Sequence, residues 1–479
     1  MGFALYDITF LIISLVALSI FFYKKRKNFS VEGPMYLYRT KFGLKLIDWF
    51  GKKHAGWLRP LQYAVIFCGY VLMFFGVWLI AYSAYIYVRY PAVVKMVRAP
   101  PIFPIFPYFT KFFGLSTFFP PFYFTYFIIA IAIVAVSHEF AHGIFARLNN
   151  IRIKSTGFGF LRLFKLPLPL LGAFVEQDDK DMQRRSKFAQ LSVLGAGVFA
   201  NILLSGIFLV FFWLFFIGTF QPLGVSFDDY AVNLVNVSSI TAIEGQKIID
   251  VANIDKISLP SNATFVSVEI DDTLYYTTPF VLRETLKKNI SLLGVYDNAP
   301  AFNAKLKGAI LSFDGRKINS REDLINAILG KKPGDRVKIE TWYNSEKETY
   351  ELVLSERGGV AYLGVATPGV QKGRGLLLYI NMLTPKINNY FTGVVYESKI
   401  GEFGLFIFNL FWWIVIINAL VALFNMIPVG IFDGGRFFML TIWGITGSKK
   451  IGESAFKWST IAVLSLFALM MIRWVFGYF

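Results

Sequence analysis

Apolar residues gather in six runs along the chain, near 3–22, 61–88, 122–146, 188–217, 403–427 and 459–477. At about 20 residues per crossing, each run is long enough to span a bilayer or nearly so. The first has neither the basic start nor the small-residue cleavage site of a secretory signal, so it is read as a retained helix. Between Gly224 and about Gly375 the runs stop, acidic residues rise and turn residues come at short intervals. That change predicts a soluble insert of about 150 residues. The expected fold is a polytopic α-helical membrane protein with about six transmembrane helices and an extracytoplasmic α+β insert.

The insert repeats itself. "ITAIEGQKI" at 240–248 aligns with "ILSFDGRKI" at 310–318, and a strand pair is expected after each, from 265 and from 337. In the second copy Val337, Ile339, Thr341 and Tyr343 alternate, then Tyr350, Leu352 and Leu354 do so after a polar turn, as in a hairpin. Between motif and hairpin, Ser320 with Asp323 three residues on predicts a capped helix. "KPGD" predicts a turn before the next strand. With "DNAPAFNAKLKGAILSFDGRKI" and the closing "AYLGV", the second copy resembles a PDZ domain of membrane and periplasmic proteases. The first is a more degenerate version. The expected arrangement is two PDZ-like domains, 224–292 and 293–375; one PDZ domain with an insertion is the alternative.

Composition sharpens the membrane reading. Hydrophobic residues make up 55% of the chain, aromatic residues 18% and charged residues only 16%, a balance foreign to soluble domains. The net charge of +17 does not point to nucleic acid, because Lys and Arg sit in short loops beside apolar runs, as in "YKKRKN". Ten of them fall in 24–60 and nine in 147–187, against four in 89–121. The positive-inside rule then places the N-terminus and the insert outside the cytoplasm. The helix near 122–146 enters from outside and ends near the cytoplasmic face. Cys68 is the single cysteine, which excludes an intrachain disulfide.

The chemistry sits on that third run. "SHEFAHG" places His138 and His142 four residues apart, on one face of a helix, so that both imidazoles can hold one metal ion. Glu139, one step round, can reach a water held by that metal. Two of the three histidines lie in this motif, at a depth where unpaired polar groups are costly. His54, in the basic first loop, reads as a solvated residue. A third ligand is needed, and Asp433 in "NMIPVGIFDGGRFF" is an acid in an otherwise uncharged stretch, beside Pro428 and several glycines that break the helix. Its other reading is a helix cap with Arg436 as ion-pair partner.

His138-Glu139-x-x-His142, Gly197-x-x-x-Asn201 and Asn425-x-x-Pro428-x-x-x-x-Asp433-Gly434 together resemble the site-2 protease family of intramembrane zinc metalloproteases. The likeness covers about 122–217 and 403–447; Phe432 stands where many members carry Leu. It implies Zn2+ as cofactor with His138, His142 and Asp433 as ligands, Glu139 as general base, and Asn425 and Asn201 as groups that position substrate or stabilise an oxyanion. The domains implied are N-terminal membrane helices with a basic cytoplasmic loop (1–121), a first half-core (122–223), the insert, a second half-core (376–447) and a last helix (448–479). The stretch 155–179, rich in Gly and Pro, looks like a membrane-edge β-hairpin able to take an extended substrate as an added strand. Expected partners are the lipid bilayer and membrane-anchored regulatory proteins, cleaved in or near their transmembrane segments in regulated intramembrane proteolysis. Peptide C-termini at the PDZ-like domains are expected as well. A zinc-binding membrane transporter or non-catalytic scaffold is the alternative, but neither needs a Glu directly after the first ligand.

Overall fold

The structure is a computed structural model describing residues 3–33, 35–90, 99–116, 119–163, 166–227, 229–248, 263–287, 290–343, 346–366 and 393–478. The expected domain boundary at 375/376 lies outside them. Two compact units are present, one of residues 1–218 and 405–479 and one of residues 219–404.

The first unit is built on α1 (Phe3–Lys25), α2 (Leu44–Lys53), α3 (Ala55–Arg89), α4 (Phe124–Leu148), α5 (Lys187–Thr219), α6 (Gly401–Asn425), α7 (Asp433–Thr446) and α8 (Lys449–Tyr478). All but the short α2 and α7 are long and apolar enough to cross a membrane, which is the number the hydropathy pattern predicts. From Leu191 to Val198 the residues of α5 are buried on all sides, against Val65 and Ile66 of α3 and Phe437 of α7. Beyond Leu203 the same helix exposes Ile207, Val210, Phe211 and Leu214, a surface suited to lipid.

Four antiparallel strands lie in order β1 (Phe29–Glu32), β2 (Met35–Thr40), β3 (Ile153–Leu163) and β4 (Leu166–Gln177). The expected hairpin over 155–179 is therefore β3–β4, but it does not stand alone. The stretch 29–40, read as part of a basic loop, supplies two further strands, and Tyr38 of β2 pairs with Phe158 of β3. Gly33-Pro34 was the sequence sign of a turn between them. Among the described residues this order leaves β4 as an edge strand, with one side of its backbone free of strand partners.

A buried carboxylate joins the N-terminal helix to α4. Asp7 of α1, 1% exposed, accepts hydrogen bonds from the Phe124 and Thr125 amides (2.9 and 2.8 Å), Thr125 Oγ1 (2.7 Å) and the Tyr108 hydroxyl (2.5 Å). It supplies from another helix the cap that α4 lacks in its own sequence, since the Tyr123 side chain at the N-cap does not cap the helix.

The second unit holds two main sheets with separate cores. One runs in the order 232–236, 292–297, 273–277, 266–270, 240–243 and 246–247, around Val266, Val268, Leu282, Leu293 and Val295. The other runs 346–353, 336–343, 309–313, 220–226 and 394–398, around Ile310, Phe313, Leu324, Val337 and Ile339. Both repeats adopt the same tight turn. Glu244-Gly245 and Asp314-Gly315 all have positive φ (50°, 72°, 49° and 75°), the geometry of a two-residue hairpin loop for which acid-Gly is suited. Ser320 and Asp323 form the expected capping box. The tandem boundaries need correction. The 292/293 boundary falls inside a strand paired with 232–236, and the start at 224 cuts the strand Phe220–Ser226. That strand precedes the first repeat yet pairs with Ala309–Ile310 beside the second, so the first sheet is inserted into the second.

Replacing Asp7 with Ala leaves several buried donors without an acceptor, each costing about 1–3 kcal/mol. D7A should lower stability by about 2 kcal/mol or more, and D7N by less, in thermal unfolding in detergent. An unchanged midpoint for D7A would remove the cap from the account.

Candidate metal centre

Helical spacing brings the first two groups together. His138 and His142, each 6% exposed, lie one turn apart on α4, and their Nε2 atoms approach to 3.0 Å. Asp433 enters from the other half of the chain. After α6 ends at Asn425, a turn over 426–432 precedes α7, whose first residue is Asp433. Gly434 allows that return, because a Cβ there would stand 2.3 Å from the Met426 carbonyl group. Asp433 Oδ2 lies 3.3 Å from His138 Nε2 and 3.2 Å from His142 Nε2. The alternative reading of this acid as a helix cap is not realised. Phe432 holds the N-cap position without a side-chain bond, and Arg436 reaches towards Asp179 (3.7 Å).

The three distances test the fit of a metal. Zinc bonds of about 2.0–2.1 Å at tetrahedral angles place ligand atoms about 3.3 Å apart. The observed edges of 3.0, 3.2 and 3.3 Å are close to that, and the three groups form a set able to hold a metal ion. Gly197 leaves the room. A Cβ at that position would stand 2.6 Å from Nε2 of both histidines, in the space between the rings.

The opposite ring nitrogens are held as a metal site requires. His142 Nδ1 lies 2.7 Å from the Val193 carbonyl, and His138 Nδ1 lies 3.1 Å from the side-chain nitrogen of Asn201. With Nε2 kept free for a metal, Nδ1 carries the proton, which selects the amide rotation that turns the Asn201 oxygen to the ring. Asn201 has no exposed surface and does not line the open cavity. Its contact is with the His138 ring. Asn425 is half-buried, and among the described residues its side chain has no hydrogen bond and does not line the cavity. His54 is half-buried against Trp49 and Phe50 (ring centroids 5.0 and 5.5 Å), not freely solvated, and has no part in the cluster.

A cavity of about 310 Å³ opens beside the cluster, lined by Glu139, His142, Asp433, Arg436 and the β4 residues Val175, Glu176 and Gln177. Two glutamates face it, and their surroundings separate them. Glu176 accepts from the Ser155 hydroxyl (2.7 Å) and from Arg39 (3.0 Å), which hold its carboxyl below the usual range. Among the described residues Glu139 receives a single hydrogen bond, from the Val175 amide to Oε2 at 3.0 Å, and none reaches Oε1. That bond marks the side of β4 on which no strand of the described residues lies. By the two-residue period of a strand, Ala173 and Gln177 present their backbone the same way. Neither the Val193 carbonyl nor the Arg39–Glu176 contact was legible in the sequence, since the first is a backbone group and the second depends on unpredicted β2.

A family model described as Peptidase family M50 matches residues 126–471, which include every residue of the cluster. An uncharacterized protein of Methanocaldococcus jannaschii is 26% identical over 308 residues, covering 64% of this chain and 54% of that protein. The match thus spans about half the length of that relative. Among solved structures, the PDZ domain of an SdrC-like protein from Listeria monocytogenes is 27% identical over 15% of this chain and 77% of its own, with a TM-score of 0.14.

Gly197→Ala should abolish metal retention, since its methyl group fills the space between the rings. Asn201→Ala should weaken affinity by about 10–100-fold, as loss of a ligand's supporting partner does. Metal content after dialysis against buffered free zinc reads both. Normal retention by G197A would place the metal elsewhere.

Proposed function

Because the chain belongs to peptidase family M50, a family of metallopeptidases, we propose that it is an intramembrane zinc metalloprotease. Its substrates on this reading are membrane-anchored regulatory proteins, hydrolysed in or near their transmembrane segments. The observation that carries the reading is the placement of Glu139 between the His138–His142–Asp433 cluster and the free edge of β4. A metal carrier has no use for a carboxylate held in that position.

The bound ion would polarise the scissile carbonyl and lower the pKa of a water molecule. His138, His142 and Asp433 would hold it. Glu139 Oε1 is placed to accept a proton from an attacking water and to return it to the leaving amine. Asn201 and the Val193 carbonyl keep the two rings oriented, while Asn425, with no side-chain hydrogen bond among the described residues, meets the substrate backbone. A transmembrane helix hides its carbonyls in its own hydrogen bonds and must unwind before it can be cut. The side of β4 facing away from β3 offers the backbone of Ala173 and Gln177 on either side of the Val175 amide that Glu139 holds, which suits capture of the unwound segment as an added strand.

The proposed orientation puts the N-terminus and the insert outside and the metal near the cytoplasmic end of α4. The two sheets of the insert act as PDZ-like modules that exclude bulky outer domains or bind a C-terminus left by an earlier cut. Phe220 and Ser398 face each other across the strand pair that begins and ends the insert. A short Gly-Ser linker can therefore replace residues 221–397. This variant should still cut a bare membrane helix and should begin to cut substrates with an intact outer domain. Normal zinc content with no cleavage of either would make the insert part of the catalytic machinery.

Glu139→Gln should lower cleavage in proteoliposomes by at least about 10²-fold, the usual scale of a lost general base. Its zinc content should stay near stoichiometric, whereas Asp433→Ala should lose both zinc and activity. Loss of zinc from E139Q would make Glu139 a ligand instead of the base.

A further inference from the structure

A second cavity, of about 500 Å³, lies where α3 and α5 begin and α4 ends. Arg59, Tyr63, Asn150, Arg185 and Phe188 line it with Gln62 and Asn149. Its volume is within the range of about 300–1,000 Å³ common for small-ligand clefts. No acidic residue is among those lining it.

The neutral polar groups of the cleft satisfy one another. Gln62 Oε1 accepts from Ser192 Oγ (2.9 Å) and from Asn149 Nδ2 (3.1 Å). The arginines are not satisfied in this way. Arg185 donates to the Asn150 carbonyl at 2.5 Å, but its Nε is buried without a partner. Arg59 is exposed, and among the described residues its guanidinium has no ion pair or hydrogen bond. Two guanidinium groups facing one cleft with no carboxylate between them form a site for an anion, and their planar forks match phosphate oxygens.

The rim indicates where that phosphate comes from. Tyr63 and Phe188 are exposed and in contact, with ring centroids 4.9 Å apart. Three apolar spans start or end around the cleft, which sets it at the level of a bilayer surface, where aromatic side chains concentrate. Soluble phosphate has no use for an apolar rim, whereas a phospholipid places its glycerol and first acyl carbons there. Basic pockets between membrane helices are suited to such headgroups.

We propose that this cleft binds the phosphate of an anionic phospholipid, held by Arg59 and Arg185, with Tyr63 and Phe188 against the glycerol region. The site is separate from the metal centre and needs neither zinc nor substrate. The test uses the purified full-length protein, delipidated in detergent and titrated with phosphatidylglycerol or phosphatidylcholine under native mass spectrometry. Phosphatidylglycerol should bind roughly tenfold tighter or more, and R59Q/R185Q should lose that preference. R59Q alone removes an exposed side chain with no partner among the described residues, so it leaves the fold intact and should still weaken binding several-fold. K24Q/K25Q removes the same charge from the basic end of α1 and should change binding no more than twofold. Displacement of the lipid by millimolar inorganic phosphate would keep the phosphate site but assign it a soluble ligand. Equal binding of the two lipids, or unchanged phosphatidylglycerol binding in both arginine variants, would overturn the proposal.

Discussion

The Asp433 carboxylate meets two imidazoles from the far half of the chain, and the first unit is arranged around that contact. Within an apolar surrounding, three such groups are tolerable only if each has a partner. The neighbouring elements supply this. α4 provides both rings at helical spacing, α5 offers Gly197 where they need space and the Val193 carbonyl where a ring needs an acceptor. The end of α6 and the start of α7 turn the carboxylate inward, with Gly434 packed on the Met426 carbonyl. Full burial of α5 from Leu191 to Val198 follows from this arrangement, because the stretch that touches the rings is enclosed by protein.

Around the same centre, a hydrogen bond joins the sheet to α4. The Val175 amide on the open side of β4 donates to Glu139, the residue beside the first histidine. On the proposed reading, the carboxylate that moves the proton is thus held by the strand that receives the substrate. A segment added to β4 arrives in register with the base. The second strand, β2, supplies Arg39, which engages Glu176 and leaves Glu139 as the less engaged carboxylate of the cavity.

What was legible in the sequence follows physical range. The i, i+4 histidines are a local signal, and the helical period alone puts them on one face. Asp433 was legible by contrast, as a lone acid among apolar residues beside a helix breaker. The aligned repeats at 240–248 and 310–318 were legible as a sequence match, and their acid-Gly pairs take the same turn because Gly and acidic residues tolerate positive φ. The rest depended on pairing across long separations. Strands β1 and β2 were hidden in a basic segment because Phe29–Thr40 becomes sheet only by joining β3, more than a hundred residues on. The insertion of one repeat's sheet into the other's could not be read either, since Phe220–Ser226 carries no mark of its later partner. Asn201 was legible as a polar group in an apolar helix but not as a support for His138, which needs the packing of α5 on α4.

The claim on which the account rests is hydrolysis at the metal cluster, within a membrane segment laid along β4. Its most direct test is to reconstitute the zinc-loaded protein with a single-span substrate in proteoliposomes and locate the cut by mass spectrometry of both fragments. The account predicts one dominant scissile bond inside or at the edge of the apolar segment. That bond should shift with the position of a helix-breaking residue and escape cleavage when the metal is chelated. A cut in the substrate's water-exposed domain, or one that persists after chelation, would contradict it.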